Sequence, residues 1–181
     1  MDLEMFSEVT RGNPALGIGR EAVEHMDWDR IPGPAWYLPK DARAAMEALV
    51  RSADDGQAAR ALADLRYAVT NDHAGTLYPA AVPATSVLLE AIGERPGPPR
   101  QEALNALLDW WGCFHPEPGF GTYVDPSAGS VGLIEGIMRC VRDATDMLHR
   151  VADDPSGGGG HRAGVMLLLA RLDEGWNTEA G

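Results

Sequence analysis

Apolar residues recur along this chain at three- and four-residue spacing in separate blocks, each closed by glycine, proline or an acidic pair. That period marks helices with one buried stripe. The first clear block covers residues 40–51, where Ala42, Ala45, Met46, Leu49 and Val50 share a face before Ser52-Ala53-Asp54-Asp55-Gly56 breaks it. A second runs from 57 to about 70 with Leu62, Leu65 and Val69 together, and Asp54 or Asp55 stands where a cap is needed. The third starts near Pro79, because a proline in a first turn forfeits no intrahelical donor, and carries Val82, Val87, Leu88, Leu89 and Ile92 as far as Gly93. Pro83 predicts a kink at its start. Beyond Pro96-Gly97-Pro98-Pro99, a fourth block holds Ala103, Leu104, Leu107, Leu108 and Trp111. A long fifth helix is expected from 130 to about 151, with Val131, Ile134, Met138, Val141 and Leu148 inside and Glu135 paired with Arg139 outside. The glycines at 157–160 read as a flexible connection, and the last helix, 162–172, turns Val165, Leu168, Leu169 and Leu172 inward.

The remaining stretches are punctuation. Residues 1–13 read as a short helix or loose arm, and a helix over 16–28 is weakened by Gly17 and Gly19. The prolines at 32, 34 and 39 forbid regular helix there, so the aromatics between them are expected to cap the first helical pair. Residues 114–129, with three prolines and three glycines, read as a long loop. The stretch 72–90 is the corner between two helices and the start of the second. The division expected is an arm and capping segment over 1–39 and a helical domain over 40–181, folded as one unit.

The chain also repeats itself. Arg51-Ser52-Ala53-Asp54-Asp55 with Arg60-Ala61-Leu62 is echoed by Arg150-Val151-Ala152-Asp153-Asp154 with Arg162-Ala163, and the turn at 93–99 lies between the echoes. This register gives three helical hairpins of roughly 40 to 55 residues each, the period of the longer helical repeats. With the corner His73-Ala74-Gly75-Thr76-Leu77-Tyr78-Pro79-Ala80, then Val82-Pro83 and Leu88-Leu89-Glu90, the chain resembles the HEAT-like repeat family, in particular small actinobacterial-type HEAT-repeat proteins. The likeness covers about residues 40–172 and departs from the family pattern at 157–160 and 114–129. It implies an all-α fold, a short right-handed solenoid of about three antiparallel hairpins with a binding surface, and no particular activity.

Charge narrows the partners. Fifteen Lys and Arg against 27 Asp and Glu give a formal net charge of −12, which opposes binding to nucleic acid and to anionic membranes. The field favours a basic protein partner or a cationic ligand, so the expected partner is a basic protein or a small polar ligand. A start of Met-Asp-Leu-Glu lacks the basic region of a signal peptide and no apolar run approaches membrane-spanning length, so the expectation is a cytoplasmic protein. Cys113 and Cys140 fall in expected helices and read as small buried hydrophobes.

Candidate chemistry collects at the corner and the loop. Asp72, His73, Thr76 and Tyr78 put a carboxylate, an imidazole and a phenol within seven residues, enough to orient a ligand or a proton transfer; the same groups also suit the backbone freed by a broken helix. The loop adds His115 and Tyr123, and the proline-rich arm adds Trp36. Trp110 and Trp111 point about 100° apart on a helix, so one of them, Trp111 by preference, is expected to face a groove or the loop. No His-x-x-x-His, Cys-x-x-Cys or phosphate-cradling spacing occurs, and no metal or cofactor is expected. Two functions fit. One is a repeat-type binding protein holding a basic partner on an acidic surface, with an inhibitor or immunity-type protein matching that profile. The other is a small cytoplasmic enzyme of specialised metabolism with a pocket between the His73 corner and the 114–129 loop, in which His73 or His115 is general base and Tyr78 assists.

Overall fold

The computed structural model describes residues 26–125, 129–155 and 158–176. The helical readings of residues 1–13, and of 16–28 up to residue 25, lie outside them. Among the described residues the chain is predominantly α-helical, with seven α-helices and two small sheets. None of these helices is long and apolar enough to cross a membrane.

The first hairpin follows the sequence pattern closely. Helix α1 (Pro39–Arg51) opens on a proline whose missing donor costs nothing, and it buries Ala42, Ala45, Met46 and Leu49. Helix α2 (Asp55–Ala68) is capped by Asp54, whose carboxylate accepts the Gln57 backbone N–H at 2.8 Å, while the Gln57 side chain accepts from Ala53 N. Ahead of α1, the turn Trp28–Arg30 buries Trp28, and the Tyr37 hydroxyl donates to the Trp28 carbonyl at 3.3 Å. Gly33 makes this possible, since a Cβ there would lie 2.4 Å from the Tyr37 ring.

Helix α3 (Ala81–Glu94) is the centre of the molecule. Ten of its positions are buried, including the hydroxyl-bearing Thr85, which donates to the Ala81 carbonyl. A helix apolar on most sides must be covered on most sides. Helix α4 (Pro98–Trp110) covers one side, and α5 (Leu133–Asp143) and α6 (Thr145–Asp153) cover another. Gly97, at φ +85°, turns the chain into α4, and the buried Arg100 returns its Nε to the Ile92 carbonyl at 2.7 Å, satisfying the end of α3. Burial lowers the pKa of that guanidinium from its ordinary value. Helix α7 (Gly158–Glu174) packs on α4 and α6, so that α2, α4 and α7 stand in a row.

Several sequence expectations are corrected. The glycines at 158–160, read as part of a flexible connection, open α7 instead, and Cys113, read as buried in a helix, is exposed beyond the end of α4. The fold is not wholly α: strands β1 (Thr70–Asn71) and β2 (Thr76–Leu77) pair antiparallel across the 72–75 turn, and β3 (His115–Pro116) adds parallel to β2. The 114–129 segment is not a structureless loop either, for besides β3 it contains β4 (Thr122–Asp125), which pairs in antiparallel register with β5 (Gly129–Gly132). Thr122, Tyr123 and Val124 suit a pleated strand, and Val131, which fits a helical stripe by spacing, lies opposite Tyr123 instead. The long helix over 130–151 is two helices broken at Ala144, whose N–H is shared between the Cys140 and Val141 carbonyls. Leu133, Ile137, Val141 and Leu148 keep one spacing through the break, so no change of period betrays it. Arg139 pairs with Asp125 of β4 rather than with Glu135, which faces Arg142.

Candidate functional site

The β1–β2–β3 sheet joins the corner to the start of the loop. Thr76 lies beside His115 and Leu77 beside Pro116, with the His115 N–H donating to the Gly75 carbonyl at 3.0 Å and Glu117 N–H to the Leu77 carbonyl at 2.9 Å. Gly75, at φ +62°, supplies the backbone sense that closes the turn, and a Cβ on it would sit 3.3 Å from the Cys113 carbonyl. Six of the eight candidate residues therefore gather here: Trp36, Asp72, His73, Thr76, Tyr78 and His115.

Their environments differ. His73 and His115 are exposed. Tyr78 is buried edge-on against Tyr37, ring centroids 5.9 Å apart. Burial pushes its phenol pKa up; a hydrogen bond from the Trp36 side chain acts the other way, and the Glu117 and Asp72 carboxylates add to the rise. A phenol so placed stays protonated at neutral pH and is a donor, not a base. Thr76 is buried too, and its hydroxyl donates to the buried carboxylate of Glu117. Sequence reasoning passed over Glu117, because a glutamate between two prolines carries no periodic signal.

The other two candidates lie elsewhere. Tyr123 sits on the β4–β5 hairpin, half-buried, its pKa raised by burial and then by Asp125. Trp111 corrects the expectation of an outward-facing indole: it is 2% exposed, and Trp110 is fully buried. Its N–H donates to the Arg171 and Gly175 carbonyls at 3.1 and 3.2 Å, and its ring lies 4.9 Å from that of Trp176. Arg171 answers by donating to the Leu108 and Trp111 carbonyls. This is a clasp between α4 and α7, not a contact surface. Among the described residues, no three His, Cys, Asp or Glu side chains converge as a metal would need.

A second feature adjoins the corner. Helices α1 and α2 leave between them a groove of about 560 Å³ with a floor of Ala44, Ala45, Ala48 and Ala68, flanked by Asp41, Asp64 and Tyr67. Alanines leave the backbone open to close approach, and Tyr67 stands 57% exposed beside them. The next residue back, Arg66, crosses from the groove toward the corner. Its Nη2 lies 3.0 Å from Asp109 and 3.8 Å from Asp72, and its guanidinium sits over the Tyr67 ring at 5.3 Å. Arg66 thus links Tyr67, which lines the groove, to Asp72 at the corner. Tyr67, Asp64 and Asp41 carry no sequence signal beyond lying on the polar side of two helices. No protein-family model, curated protein or solved structure matches this chain.

Proposed function

We propose that the chain is a HEAT-like helical-repeat binding protein that holds a basic protein partner on its acidic surface, in the manner of an inhibitor or immunity protein. The packing of α2, α4 and α7 in a row, each following a partner helix, supports the repeat reading. The observation that carries the binding reading is the α1–α2 groove, where an exposed tyrosine and two aspartates flank an apolar floor of alanines. Tyrosine gives contact area at small entropic cost, and the carboxylates select positive charge against a chain of net −12.

The test is a pull-down from native lysate at low and high salt with the wild-type protein and with Tyr67→Ala and Asp64→Lys. The expected result is a stoichiometric basic protein retained at low salt, released at high salt, and bound at least about 10-fold more weakly by each variant. Capture that ignores both salt and these substitutions refutes the proposal.

A second reading rests on the pairing of β2 with β3, which brings the His115 segment alongside the corner. It is a small enzyme acting on a polar substrate at that junction, with His73 or His115 as general base and the Tyr78 hydroxyl as donor. Replacing both histidines with alanine separates the two: lost turnover with unchanged partner affinity establishes the enzyme and sinks the scaffold.

A further inference from the structure

Helix α7 is apolar on two faces. Val165, Leu168 and Leu169 are buried against α4 and α6, as a terminal helix requires. The opposite face should be polar where a helical row ends in water. It is not: Ala163, Met166, Leu167 and Ala170 are all exposed, Met166 at 48% and Leu167 at 45%. They fall at i, i+3, i+4 and i+7, a single stripe two turns long.

That stripe reads the same from either end: small, large, large, small. Two copies of α7 crossing antiparallel about a two-fold axis set Met166 against Leu167 of the copy and Ala163 against Ala170, so that the small residues let the axes approach. The charges follow the same symmetry. Arg162 is exposed at the start of α7, and Asp173 and Glu174 are exposed at its end. Antiparallel pairing brings each arginine toward the carboxylates of the other copy, while parallel pairing stacks like on like. Although the chain carries −12, α7 itself balances Arg162 and Arg171 against Asp173 and Glu174, so its own charges do not oppose self-association. Beside the stripe lies a groove of about 570 Å³ between Met166, Leu169, Ala170, Leu172 and Asp173 of α7 and Arg142, Thr145 and His149, with room for the copy's large side chains.

We infer that α7 is a homodimer seam, occupied by α7 of a second copy of this chain. The surface is small for an obligate interface, so the dimer is a reversible one of micromolar affinity. It lies on a different helix from the proposed partner groove and does not depend on that reading. The test is sedimentation velocity over a concentration series on the full chain, with thermal melts as a check on folding. Wild type should shift from monomer to dimer with rising concentration. Leu167→Lys, at an exposed position, should raise the dissociation constant at least about 30-fold with its melt unchanged. Arg162→Glu should weaken the dimer, and adding Asp173→Arg and Glu174→Arg to that same chain should restore it. A wild type still monomeric at about 200 µM overturns the inference, whether the face is then covered by residues 1–25 or by another protein. A dimer indifferent to Leu167→Lys overturns it equally.

Discussion

Glu90 makes the sharpest thermodynamic prediction. It lies on α3, half-buried in a small pocket with Leu49 and Val50 of α1, and its own helix places Val87, Ala91, Glu94 and Arg95 around it. Arg95 directs its Nη1 to the Ser52 hydroxyl at 3.0 Å. Burial, and then the Glu94 carboxylate, raise the Glu90 pKa from its ordinary 4.5 to about 7. The folded state therefore holds a proton that the unfolded chain has already released. Stability from this group is fully present below about 4.5 and is lost as pH rises through about 7. At about 1.4 kcal/mol per pH unit the whole interval is worth about 3.5 kcal/mol, which solvent screening of a half-exposed carboxyl reduces to about 1–2 kcal/mol. Glu90→Gln keeps the shape and removes the ionisation. Urea unfolding should find the variant about 1–2 kcal/mol more stable than wild type at pH 8 and equal to it at pH 4.5. A variant no more stable at pH 8, or one with the same increment at both pH values, refutes the reasoning.

Two other sites test the packing directly. Trp111→Phe keeps most of the ring but leaves the Arg171 and Gly175 carbonyls without their donor, and should cost about 1–2 kcal/mol in urea unfolding; Trp111→Ala, which also empties the space against Trp176, should cost about 3–5 kcal/mol. Gly33→Ala drives a methyl into the Tyr37 ring and should cost about 1–3 kcal/mol, read as a lower melting temperature.

Much of the helical framework was legible because burial imposes a period. The stripes of α1 to α4 could be read from spacing, and Asp54 could be named as a cap, since amphipathic helices closed by glycine, proline or aspartate repeat one signal several times. Strands two residues long repeat nothing. The pairing of Thr76 with His115 is a contact across 39 positions, and it depends on a turn at Gly75 that closes against the Cys113 carbonyl. The Ala144 break was hidden for the opposite reason, a stripe that runs straight through it. At the corner, proximity was legible for Asp72, His73, Thr76 and Tyr78, which are neighbours in sequence. Accessibility was not, because which of four adjacent side chains faces Tyr37 depends on a residue 41 positions earlier than Tyr78.

Arg66 explains why the acidic surface keeps its shape. Two carboxylates, Asp72 and Asp109, reach it from the β1–β2 turn and α4, and without a cation between them like charges from two elements would repel where the packing brings them close. One guanidinium, 16% exposed and held over Tyr67, ties α2 to both neighbours. One positive charge shared by two carboxylates leaves this cluster with a net negative charge. Asp41 and Asp64 line the groove, whereas Asp72 and Asp109 already answer to Arg66. An incoming basic side chain therefore meets less competition at the groove than at the corner.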